Sequence, residues 1–125
     1  MNNKMKGLKT TFLAHFIVGG VFGIILLIVP DFWGSMSGQA LLEPVIYRGM
    51  GAAILGFAFS SWLAYRDTQW EKVKITVLME IVWATLFVIV NIYGILSGQL
   101  PPLDWVNVVV VGGFGIAFAM FYFRN

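Results

Sequence analysis

Four apolar stretches, each close to the length of one bilayer crossing, take up most of this 125-residue chain. A lipid-spanning helix needs about 20 mainly apolar residues. The stretches run from about residue 10 to 29, 45 to 65, 73 to 96 and 105 to 123, and only short connections remain. Span one ends at Pro30, and span three carries a single acid, Glu80. No stretch outside the spans is long enough for a water-soluble domain. The expected fold class is therefore all-α: one transmembrane domain over residues 1–125, built as a four-helix bundle.

Composition narrows the function classes. Apolar residues make up 59% and charged residues 11%, against about 25% charged in soluble domains. There is no cysteine, so disulfide scaffolds, thiolate metal sites and iron–sulfur clusters are excluded. The one histidine cannot supply both imidazoles of a bis-histidine haem, and no metal site is expected. The net charge of +2 comes with no dense basic cluster, so nucleic acid is not an expected partner. H-E-x-x-H, G-x-S-x-G, Walker and G-x-G-x-x-G motifs are all missing. No catalytic residue is assigned, and an enzyme acting alone is not expected.

Basic residues set the orientation. Lys4, Lys6 and Lys9 precede span one, Arg66, Lys72 and Lys74 flank the second connection, and Arg124 follows span four. Asp31, Glu43 and Asp104 lie on the opposite side, where Arg48 is the one exception. Both termini are expected in the cytoplasm of a multi-pass cell-membrane protein. The stretch after Lys9 is longer than a signal-peptide core and no A-x-A site follows it, so it reads as a retained span. Trp33 and Trp105 fall at the outer interface and Trp62 and Trp70 at the inner one. Gly34, Ser35, Ser37, Gly38 and Gln39 mark the first connection as an outer loop, with Phe32 and Trp33 dipping into the interface.

Helices in lipid associate through close packing of small residues. Candidate stripes are Gly19-xxx-Gly23 in span one, Ala52-xxx-Gly56-xxx-Ser60 and Gly49-xxx-Ala53 in span two, and Gly113-xxx-Ala117 and Gly115-xxx-Ala119 in span four. Ordinary packing inside one bundle explains them. A span with small residues on several faces, as span four has, also suits a homo-oligomer or a larger membrane complex.

Polar residues inside the spans carry the functional signal. Thr76, Glu80, Phe87 and Asn91 fall within about 60° of arc on span three, so this edge is expected to face the interior. Val77, Ile81, Val88 and Ile92 lie off it and are expected against lipid or a neighbouring subunit. His15, Glu80 and Ser60 each lie six residues, about 9 Å, from an inner basic anchor. They form a candidate ligand or proton site, with Trp83 one turn from Glu80. Arg48 and Asn91 share an outer layer, where Arg48 can also snorkel to Glu43 or lipid phosphate. An ionisable residue in a span is a functional candidate by default. The alternative for Glu80 is a structural hydrogen bond to His15 or Ser60.

The segment Arg48-x-x-Gly51-Ala52-x-x-x-Gly56, followed by Trp62 and Arg66, resembles the RxxGAxxxG helix of small four-helix bacterial membrane proteins of the DoxX-like type. That resemblance implies a role linked to quinone-dependent electron transfer or redox complexes. It places Arg48 on the family's arginine and makes a lipophilic ligand, lipid or quinone, the expected cofactor class. The leading expectation is a non-enzymatic lipophile-binding or complex-subunit module. The alternative is a proton-coupled transporter or channel using Glu80.

Overall fold

The Asn2 side chain starts the first helix by accepting a hydrogen bond from the Met5 amide at 2.9 Å, the usual way to satisfy an exposed amide at a helix start. The computed structural model describes residues 2–38 and 43–124. Among them every regular element is helical: α1 (Asn3–Ile28), α2 (Pro30–Ser37), α3 (Pro44–Arg66), α4 (Trp70–Leu96) and α5 (Trp105–Arg124), with one 3₁₀ turn at Pro102–Asp104. Three segments are long and apolar enough to cross a membrane: Asn3–Ile28, Trp70–Leu96 and Pro102–Arg124. The 23-residue α3 is diluted by Arg48, two serines and three glycines.

Prolines and glycines punctuate the chain. Pro30 forces Val29 out of helical geometry, at φ −130° and ψ 61°, because a residue before proline avoids the α region. The same proline then opens α2 from its first turn, where a missing amide proton costs nothing. Gly38 closes α2 at φ 74°, a left-handed turn that glycine takes without strain. The first connection therefore carries a short helix over Pro30–Ser37, where its glycines and serines suggested a loop; Gln39 lies outside the described residues. The helix around span one also begins earlier than the apolar run, at Asn3, so Lys4, Lys6 and Lys9 are all helical.

The helices associate chiefly in two pairs, α1 with α3 and α4 with α5. Between α1 and α3 the contact is backbone to backbone. A Cβ on Gly51 would lie 2.7 Å from the Leu27 nitrogen and 2.8 Å from the Gly23 oxygen, and Gly19 packs on Ala58. The span-one stripe thus sits in a contact. On α3 the contact face is Gly51 and Ala58, seven residues apart and so nearly in line. Gly49, Ala52, Ala53 and Gly56 of the two expected stripes are exposed.

Between α4 and α5, Gly115 sits against Ala84, 2.7 Å from where its own Cβ would be, and Gly112 faces Val88. This overturns the lipid-facing assignment of one edge of α4. Val77 is fully buried, Ile81 packs against the same core, and Val88 and Ile92 are half-buried. Apolar residues that meet a neighbouring helix and apolar residues that meet lipid look alike in sequence.

The main core lies at the basic end. Leu8 and Phe12 of α1, Ala64 of α3, Val73 and Val77 of α4, and Phe118 of α5 close the interior there. Phe12 and Phe118 stand 5.1 Å apart, ring to ring. Toward the acidic end the interior opens.

Candidate functional site

Just above that core three helices bring polar groups together. His15 comes from α1, Ser61 from α3 and Glu80 from α4. The Ser61 hydroxyl donates to Glu80 Oε1 at 3.2 Å, and His15 Nδ1 lies 2.8 Å from the Ser61 oxygen. His15 Nε2 is 3.4 Å from Glu80 Oε2, longer than a hydrogen bond but within reach of ionic attraction. Ser61 is completely buried and Glu80 is 2% exposed. The His15 ring is held edge-on against Phe114 and Phe118, at 5.0 and 5.8 Å.

The bonding pattern defines the protons. Ser61 gives its only proton to Glu80, so its oxygen accepts the proton of His15 Nδ1. Nε2 and Oε2 then face one another across a 3.4 Å gap.

A cavity of about 420 Å³ opens above this cluster, inside the range of small-molecule sites. Phe22 of α1, Trp33 of α2, Trp83 and Phe87 of α4, and Phe114 of α5 give it aromatic walls. Trp83 stacks on Phe57 at 5.1 Å and leans on Phe87 at 5.2 Å. Val18 and Val110 lie on its rim and are themselves exposed, so the space opens sideways between α1 and α5.

A second cavity, of about 470 Å³, lies toward the acidic end. The two share Phe22, Trp33, Phe87 and Asn107 as a common wall. The outer cavity is more polar, with Glu43, Tyr47, Asn91, Gln99 and Asp104 among its lining. Asp104 accepts from Asn107 Nδ2 at 2.6 Å and from the Trp33 side chain. Trp33 also packs edge-on against Phe22 at 5.1 Å, while its neighbour Phe32 is exposed.

Of the residues singled out in the sequence, His15, Glu80 and Trp83 converge on the inner cavity. Asn91 is buried, donates to the Phe87 carbonyl at 2.9 Å and lines the outer cavity. Ser60 does not join them. Its hydroxyl bonds the Phe57 carbonyl at 2.7 Å on its own helix, and Ser61 takes the expected place. The reason is register: Gly51 and Ala58 face α1, which swings Ser61 inward and Ser60 aside. Arg48 is exposed and lines neither cavity.

Sequence reasoning missed Ser61, Trp33, Asp104 and Asn107. Ser61 shares the depth of Ser60, so depth alone could not separate them. The Asp104-x-x-Asn107 spacing at a helix start was a usable signal, since residues three apart meet on a helix. Among the described residues no three histidine, aspartate or glutamate side chains converge in the manner of a metal site. The arrangement can hydrogen-bond a polar group and hold an apolar body. No family model, curated protein or solved structure matches this chain.

Proposed function

We propose that the chain is a four-helix transmembrane bundle of the DoxX-like type that holds a lipophilic molecule between its two helix pairs. The carrying observation is the aromatic inner cavity, with its floor at His15, Ser61 and Glu80 and its opening between α1 and α5. An apolar body with one hydrogen-bonding group fits that shape, and a sideways opening suits entry from a bilayer. Lipid and quinone are the ligand classes. Gentle extraction followed by native mass spectrometry should find such a molecule bound, and Glu80→Leu should reduce its occupancy. Protein that is empty under every mild condition overturns the reading.

In this reading α3 also crosses the membrane, as span two, and both termini are cytoplasmic. The single-sided distribution of Lys4, Lys6, Lys9, Arg66, Lys72, Lys74 and Arg124 supports it. Single cysteines at Ser37 and Thr68 test it: an impermeant reagent outside the cell should label the first and spare the second. Association through α5 belongs to the same proposal. Gly113 faces open space whereas Gly115 is packed on Ala84, so Gly113→Leu is the variant that should shift the oligomer distribution in native mass spectra without breaking the α4–α5 contact.

The second reading is proton-coupled transport. It is favoured by the imidazole of His15 and the carboxyl group of Glu80, which face one another beside a cavity. A pH-driven flux in proteoliposomes that vanishes in Glu80→Gln would select it over passive binding.

A further inference from the structure

The outer cavity is mostly apolar, sets two carboxyl groups among neutral polar side chains, and has no basic side chain among the described residues. Glu43 and Asp104 contribute carboxyl groups, and no lysine, arginine or histidine lines it among the described residues. Asp104 is 5% exposed, so its carboxyl group is held in the wall and not in solvent. Its two bonds, from Asn107 and Trp33, leave acceptor capacity on a group with about four lone-pair positions. Asn91 is 8% exposed. Its amide nitrogen is used on the Phe87 carbonyl, while its oxygen accepts no bond from the described residues and borders the cavity.

The walls add a second preference. Phe22, Trp33, Tyr47 and Phe87 present aromatic rings to the same space, and ring faces attract cations. Two carboxyl groups with no basic side chain among the described residues, beside aromatic rings, favour a cation over an anion. The cavity lies beside the apolar one, sharing Phe22, Trp33, Phe87 and Asn107 with it. Along α4 the distance from Asn91 back to Glu80 is about 16 Å, enough for an extended hydrocarbon chain.

We propose that the outer cavity binds the ammonium head of a lipophilic amine whose apolar body lies in the inner cavity. This rests on the reading of the interior as a lipophile site, and it names the chemical class of the occupant. The ammonium bonds Asp104 and the Asn91 oxygen, with Glu43 attracting it at the mouth. The chain passes the common wall of Phe22, Trp33 and Phe87.

The test uses the full chain in nanodiscs and the fluorescence of its tryptophans, of which Trp33 and Trp83 line the cavities. Three probes share one tail: decylamine, decanol and decyl sulfate. Saturable binding should be strongest for decylamine and absent for decyl sulfate. Asp104→Asn should weaken decylamine about tenfold or more, the scale of one charge-assisted hydrogen bond, while decanol changes less than about twofold. Comparison within one nanodisc lipid cancels partitioning into the bilayer. If Asp104→Asn fails to fold, the exposed Glu43→Gln decides: weaker decylamine with decanol unchanged supports the site, and no change overturns it. Equal affinity for decylamine and decanol overturns the ammonium site and leaves the lipophile reading standing. No saturable binding of any probe overturns the lipophile reading itself.

Discussion

Replacing Gly51 with alanine puts a methyl group where there is no side chain to move. Its Cβ would meet the Leu27 nitrogen at 2.7 Å, the Gly23 oxygen at 2.8 Å and the Leu26 carbonyl carbon at 3.0 Å, all backbone atoms. Restoring contacts of about 3.5 Å requires α1 and α3 to part by up to about 0.8 Å. Overpacking of this sort costs about 1–3 kcal/mol. At Gly49 and Gly56 the same substitution meets nothing within 4 Å. All three changes carry the same helix gain of alanine over glycine, about 0.5–1 kcal/mol, so it cancels in the comparison. Gly51→Ala should therefore be less stable than either control by about 1–3 kcal/mol, or about 5- to 150-fold in the unfolding equilibrium. Titration of the folded protein in mixed micelles with a denaturing detergent, followed by tryptophan fluorescence, measures the difference. If Gly51→Ala matches the controls, α1 and α3 do not meet at Gly51. If Gly49→Ala or Gly56→Ala is the damaging change, α3 meets α1 through the other stripe.

Three further outcomes follow from the same contacts. Ser61→Ala leaves His15 and Glu80 without their bridge and should cost about 1–2 kcal/mol, whereas Ser60→Ala should stay within about 0.5 kcal/mol; the same micelle titration separates them. Val77→Ala removes a fully buried side chain and should cost about 1–2 kcal/mol, while Val82→Ala, at a 51% exposed position, should be nearly neutral. Asp67, in the connection between α3 and α4, accepts from the Gln69 and Thr68 amides. The bond from Gln69, above all, holds its carboxyl below the usual aspartate range. A carboxyl lowered in the folded state contributes stability above its unfolded value, about 3.9, and loses it as pH falls through the folded one. Wild type should therefore lose stability on acidification below about pH 4 more steeply than Asp67→Ala, measured by thermal melts across that range.

Helix positions were legible because the signals for them are strong and local. Apolar runs of bilayer length, Pro30, Pro44 and the Pro101–Pro102 pair bracket the long helices to within a few residues, except at Asn3, where a polar cap and three lysines extend α1 beyond its apolar part. The inward edge of α4 was legible for a different reason: Glu80 and Asn91 are costly to place in lipid, so two residues suffice to orient the helix. Register on α3 was not legible. Gly49, Gly51, Ala52, Ala53, Gly56 and Ala58 place small residues on every face, and the choice among them is made by Gly19 and Gly23 on another helix. That one unknown moved the site from Ser60 to Ser61. The outer cavity depends on α2, Asp104 and Asn107, which read as connection and helix start and gain meaning only when Trp33 folds back onto Phe22.

The cavities are a consequence of how the helices pair. Glycines draw α1 onto α3 at Gly19, Gly23 and Gly51, and Gly115 draws α5 onto Ala84 of α4. A helix drawn close on one side is drawn away on the other, so the space left over lies between the two pairs. At the basic end Phe12 and Phe118 are large enough to bridge it. Further along α1 the cavity is bordered by Val18, Gly19 and Phe22, and none of them fills the gap. The seam is bordered also by Trp83, Phe87 and Phe114, which wall the space without filling it. Close pairing within each pair thus leaves room between the pairs, and the polar cluster of His15, Ser61 and Glu80 lies at the depth where filling stops. A substitution that loosens a pair, such as Gly51→Ala, should therefore disturb the cavity as well as the fold.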